Sequence, residues 1–168
     1  MGNILKAAII FVSIFISTCF ADTLILSTKL KIDYPTPTVI SHGITDLIVK
    51  YNKDRSFMHV VVDPKNIYQQ IDLTGKERDY IRSIFDKNER AKLSKDLAAM
   101  AKEQSDQFGV TPDNVERFKV GDAEVIAVYN NEDNNGQVFI FEELSVHQIY
   151  TYGTKAEHDL ILKGIKER

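Results

Sequence analysis

The sequence predicts an α+β fold: a mainly antiparallel sheet of five to six strands, a broken helical segment over residues 75–107 and a C-terminal helix. Three observations predict it. Residues 123–150 form two apolar runs around a polar, Asn-rich tip. Ala123, Val125, Ala127 and Tyr129 share one face at a period of two, and Ile126 and Val128 share the other. Beyond the tip, Val138, Ile140 and Leu144 alternate with Phe139, Phe141 and Glu143, and Asn135-Gly136 adds a hairpin signal. Both faces of the first arm are apolar, which places this hairpin mid-sheet with cover on each side. The second observation is a long helical pattern in two phases. The third is the order of elements, with runs of strands separated by runs of helix.

In chain order, Leu24, Leu26, Leu30, Ile32 and Tyr34 alternate with Ile25, Lys29, Lys31 and Asp33, which reads as one strand bent around Ser27. Pro35 and Pro37 end it, because neither can donate to a ladder. Ser41-His42-Gly43 reads as a loop. Leu47, Val49 and Tyr51 open a second strand, Asn52 to Ser56 supply a polar turn, and Phe57 to Val62 return as a third strand closed by Asp63-Pro64. Residues 66–73 fit either a helical turn or an edge segment, through Ile67, Tyr68 and Ile71.

Thr74-Gly75-Lys76-Glu77 has the pattern of a capping box and predicts a helix start. The helical pattern runs to Gln107, with Gly109 as its stop and Pro112 beyond. A single helix of that length would span ~50 Å at 1.5 Å per residue. Its apolar residues also change side. Ile81, Ile84 and Phe85 lie roughly 140° from Leu93, Leu97, Met100 and Ala101 at 100° per residue. Asp86-Lys87-Asn88-Glu89 offers a second capping box, so a break is expected at residues 86–88. Residues 115–120 read as a fourth strand, and Gly121-Asp122 turns it into the central hairpin, whose second arm should bend near Ser145 or Val146. Thr154-Lys155-Ala156-Glu157 is a third capping box, and Leu160, Ile161 and Ile165 give the last helix its apolar face.

The first 21 residues read as a secretory signal peptide. Lys6 precedes an apolar run from Ala7 to Phe20, and Cys19 and Ala21 place small residues before Asp22. The run is short for a membrane span, which needs ~20 residues. Cleavage before Asp22 leaves residues 22–168 as one α+β domain, located in the periplasm. Lipidation at Cys19 is the alternative, and it would tether the protein to a membrane. Without Cys19 no cysteine remains, so the domain must hold by its core alone, as 147 residues can. A bacterial periplasm suits an exported chain without disulfides. Without Lys6, 20 basic side chains face 24 acidic ones, a net charge of about −4 with no basic cluster. Nucleic acid is therefore a poor partner.

The element order, together with Lys31-Ile32-Asp33-Tyr34-Pro35 after an alternating strand, resembles the PsbP-like family of small periplasmic and extrinsic α+β proteins. That resemblance implies a binding or assembly role without a shared catalytic set.

The hairpin tip carries the sharpest motif. Asn131, Asp133, Asn135, Gly136 and Glu142 have the spacing of an EF-hand calcium loop. An EF-hand needs flanking helices, and the flanks here read as strands. The tip is therefore expected to be a solvated hairpin end, with Asn131, Asp133, Asn135 and Glu142 as the calcium alternative. His42, His59, His147 and His158 lack zinc-site spacing. His59 reads as a partly buried sheet residue and His158 as an exposed one. Ser41, His42 and Asp46 are too close in sequence to form a triad, and no nucleophile elbow or phosphate loop is present. Glu142 shares the side of Ile140 and so leans inward or sits at a sheet edge, while Glu143 points the other way. The expected function is a non-catalytic, exported binding or adaptor protein without a cofactor, acting on another protein of the cell envelope. An immunity or inhibitor protein is one form of it. The alternatives are calcium binding at residues 131–142 and a hydrolase with unrecognised site residues.

Overall fold

A computed structural model describes residues 22–67 and 71–168. The expected signal peptide, its cleavage site and Cys19 lie outside the described residues, as does Tyr68. The fold is α+β with antiparallel sheets, but the described residues form ten strands where five or six were expected. The strands are β1 (Asp22–Ile25), β2 (Leu30–Tyr34), β3 (Val39–His42), β4 (Asp46–Asn52), β5 (Arg55–Val61), β6 (Val115–Val120), β7 (Ala123–Asn130), β8 (Asn135–Phe141), β9 (Val146–Tyr152) and β10 (Ile165–Glu167). The helices are α1 (Glu77–Phe85), α2 (Lys87–Arg90), α3 (Lys95–Gln107) and α4 (Lys155–Gly164). A seven-stranded sheet runs β3-β4-β5-β9-β8-β7-β6, and a three-stranded sheet runs β1-β2-β10.

The extra strands come from turns hidden inside continuous alternation. Leu26 and Ser27 backbone amides donate to the Leu30 carbonyl, at 3.0 and 3.2 Å, so β1 and β2 form a hairpin rather than one bent strand. The Ser27 hydroxyl oxygen accepts from the amides of Lys29 and Leu30, which completes the turn. Likewise, the long second arm is two strands. The Glu142 amide donates to the Ser145 carbonyl, turning β8 back into β9 and leaving Leu144 exposed at the corner. The expected loop at Ser41-His42 is the end of β3, and β10 was not anticipated.

The central hairpin does lie mid-sheet with both faces covered. Val125, Ala127, Val138 and Ile140 pack with Leu30, Ile32, Tyr34, Phe57 and Ile161, under the small sheet and α4. Ile126, Val128, Phe139 and Phe141 pack with Tyr80, Ile81, Ile84, Phe85 and Ala101, under α1 and α3. The helical segment breaks where expected. Asp86 is extended, at φ −141° and ψ 116°, and its side chain accepts from the Asn88 amide. Arg90 donates to the carbonyls of Ser83 and Ile84, capping the end of α1. The first expected capping box does not form. Lys76 is the N-cap of α1, and Gly75, at φ 76°, separates Thr74 from the helix. The third box forms as expected, with the Thr154 and Glu157 side chains each accepting from the other's amide.

The hairpin tip departs from the Asn-Gly expectation. Asn134, at φ 52°, takes the left-handed position, while Gly136 pairs with Tyr129 inside the ladder. Gly136 is needed for space instead. A Cβ there would lie 2.3 Å from Nδ1 of His158 and 2.8 Å from Oγ1 of Thr151. Gly136→Ala is therefore expected to lower stability by about 1–3 kcal/mol, as overpacking does. Gly75→Ala meets nothing within 4 Å and pays only for its positive φ, about 1 kcal/mol. Urea unfolding of the two variants checks this; a smaller loss in Gly136→Ala than in Gly75→Ala would contradict it.

Candidate functional site

Inward-facing residues of β9 read His147, Ile149, Thr151, so its core face is polar at both ends and apolar in the middle. Each polar end anchors a cluster, one against the β1–β2 turn and the other against α4.

At the first end, His147 is 2 % exposed. Its Nε2 lies 2.9 Å from Oε2 of Glu142 and 3.1 Å from Oγ of Ser145, and its Nδ1 lies 3.1 Å from Nε2 of His59. The two imidazoles stack at 5.3 Å. The Ser27 hydroxyl donates to Oε1 of Glu142 at 2.8 Å. A carboxylate only accepts, so Glu142 calls for the proton of His147 on Nε2. Nδ1 of His147 then accepts from Nε2–H of His59, leaving the lone pair of His59 on Nδ1. Burial, followed by the neighbouring His147, pulls the His59 pKa down to about 4.

This chain joins two openings. Glu142 lines a groove of about 1160 Å³ beside Arg78, Arg82, Arg117, Lys119 and Glu124. The groove's cations are largely committed. Arg78 donates to the carbonyls of Glu142, Glu143 and Ser145, fixing the β8–β9 turn. Arg82 bonds Glu124 at 2.9 Å and lies 4.6 Å over the Phe141 ring. His59 lines a cleft of about 440 Å³ with Leu24, Ile25, His42, Ile44 and Val61. Ile44 is wholly exposed at its rim, and Ile25 and Val61 are about half exposed. Beside the cleft, β3 pairs with β4 alone among the described residues, and all four of its residues are exposed.

At the second end, His158 is buried, which corrects its expected exposure. Its position in the first turn of α4 faces the sheet, where Nδ1 lies 2.8 Å from Oγ1 of Thr151 and the ring meets Tyr129. Burial also pulls its pKa down to about 4.

The calcium-spaced residues separate. Asn131 and Asp133 are exposed at the tip, where Asp133 accepts from Asn130, and Asn135 pairs with Asn130 and Tyr152. Glu142 lies past the far end of β8, ~23 Å along at 3.3 Å per residue, so these four cannot surround one ion. No group of three or more His, Asp or Glu side chains among the described residues is arranged to hold one metal ion. Sequence parity placed Glu142 either inward or at a sheet edge, and the structure puts it in the β8–β9 turn, largely buried against His147. Its partners His147, Ser27 and, through His147, His59 come from distant strands and carry no local signal. No family model, curated protein or solved structure matches the chain. No helix among the described residues is long and apolar enough to cross a membrane.

Both low histidine pKa values make stability pH-dependent. An unfolded histidine takes up a proton near pH 6.5, whereas these do so near 4. Between those values the unfolded state binds more protons, so acid lowers stability. His158 alone should cost on the order of 3 kcal/mol across that window, and half-buried His59 adds to the loss. Urea unfolding from pH 7 to 4 should show this loss, shallower in His158→Gln. An identical slope in that variant would contradict the assignment.

Proposed function

We propose that this protein is a non-catalytic, exported binding or adaptor protein that captures an extended apolar segment of a partner protein along β3. The observation that carries this reading is a sheet edge that no described residue guards. Val39 and Ile40 are 52 % and 51 % exposed on β3, and Ile25, Ile44 and Val61 rim the adjoining cleft. Edge strands are usually blunted by charges, prolines or bulges, because their free amides and carbonyls invite another strand. The β3 sequence Val-Ile-Ser-His carries no Lys, Asp, Glu or Pro. An exposed apolar cluster beside free backbone groups suits strand addition, in which main-chain bonds give affinity and a neighbouring cleft takes alternate side chains.

Export rests on the apolar start of the sequence. The likeness to PsbP-like proteins supports the same reading, since it implies binding or assembly without a shared catalytic set. An immunity or inhibitor protein is one form of it.

A second reading, a hydrolase using His59 as base, draws on the Glu142–His147–His59 chain. A base held near pKa 4 is weak at neutral pH. The hydrogen bond of the His59 ring runs inward to His147 rather than to a nucleophile. Binding is the better supported reading.

Photo-crosslinking side chains placed at Ile40, Ile44 or, as a control, the exposed corner Leu144 test it in producing cells. A discrete adduct with one other protein is expected from Ile40 and Ile44 and not from Leu144. An adduct of two copies of this chain would replace the partner by self-association. No adduct, or the same adducts from all three positions, would overturn the proposal.

A further inference from the structure

Buried polar side-chain atoms are almost always hydrogen-bonded, and each exception calls for an explanation. Among the described residues, Oη of Tyr51, Nη2 of Arg55 and Nε2 of His158 are buried without a partner. They come from β4, β5 and α4, which are distant in sequence. All three residues nonetheless line one small cavity, together with Thr151, Glu157 and Ile161.

The surroundings hold each of these groups in place. Nδ1 of His158 is engaged by Thr151, and the ring fills the space left by the absent side chain of Gly136. Turning the ring over would give up the Thr151 bond, so Nε2 stays on the other side. The Arg55 guanidinium stacks 4.1 Å over the Tyr51 ring, and its Nε lies 3.3 Å from Oε1 of Glu157. Glu157 is in turn fixed by the capping box, its Oε2 accepting from the Thr154 amide at 2.8 Å.

We propose that this cavity binds a single ordered water molecule, hydrogen-bonded to Oη of Tyr51, Nη2 of Arg55 and Nε2 of His158, which ties the first turn of α4 to β4 and β5. The volume sets the occupant's size. At about 10 Å³ the cavity is the size that holds one water. The donor pattern sets its chemistry. Nη2 of Arg55 can only donate, so the occupant must accept. Tyr51 and neutral His158 can each donate or accept, and a water meets either choice because it does both. An anion would be repelled by the Glu157 carboxylate bordering the cavity, and a cation by the Arg55 guanidinium. Two to four polar partners are what holds a buried water, and three are present.

A crystal structure of the full chain at about 1.5 Å, with a second crystal soaked in bromide, tests the proposal. One spherical peak is expected within about 2.7–3.2 Å of all three atoms, with no anomalous bromide signal. In solution, the His158 ring protons should show a cross-peak to a long-lived water. Tyr51→Phe removes one partner without changing the ring, and should weaken that cross-peak or abolish it. A bromide peak in the cavity would make it a halide site and overturn the proposal. So would direct bonding among the three side chains, an empty cavity, or a cross-peak unchanged in Tyr51→Phe.

Discussion

Strands β7 and β8 are largely apolar on both faces, and that single constraint dictates the rest of the architecture. A sheet of this kind cannot leave either side to water, so the chain must supply two covers. The helical segment provides one, with Tyr80, Ile81, Ile84 and Phe85 of α1 against Ile126, Phe139 and Phe141. The other is assembled from both ends of the described chain: β1 and β2 from its start, α4 and β10 from its end. The break at Asp86 follows from the same demand. Two sets of apolar residues on different sides of one straight helix could not both face the sheet, and the turn through α2 brings α3 back over it.

The second cover is shorter than the strands it lies on, and polar chemistry collects where it ends. On β9 the inward positions pass from His147 through Ile149 to Thr151. The middle belongs to the core, while each end holds a buried histidine that needs partners from elsewhere. Burying such groups unpaired is costly. His147 is satisfied by Glu142, His59 and Ser145, and Nδ1 of His158 by Thr151. Both clusters stiffen the junction between layers. Meanwhile, among the described residues, the large sheet ends at β3 without charge or cover, which is why we propose recognition there rather than in the charge-balanced groove beside Glu142.

What the sequence disclosed, it disclosed through periodicity and caps. The period of two in residues 123–141 located the central hairpin and its two faces. The phase change between Phe85 and Leu93 located the helix break, and Thr154 with Glu157 located α4. Turns without glycine or proline punctuation were harder to see. Alternation runs straight through Ser27 and through Glu142 to Ser145, so two hairpins looked like two long strands. Gly136 looked like a turn residue because Asn-Gly usually is one, whereas its role is to admit the His158 ring from a helix more than twenty residues away. Parity left Glu142 either inward-facing or at a sheet edge, and no local pattern links it to Ser27, 115 positions earlier. The orphaned atoms of Tyr51, Arg55 and His158 are likewise a product of tertiary proximity alone.

Amide hydrogen exchange resolved residue by residue tests the central claim most directly. If the two-faced middle of the large sheet organises the molecule, amides bonded within β7, β8 and β9 should exchange slowest and together, only through global unfolding. Outward amides of β3 should exchange orders of magnitude faster, since only water meets them. Protection of β3 equal to that of β8, or early exchange anywhere in β7–β9 while α1 or β2 stays protected, would contradict the account.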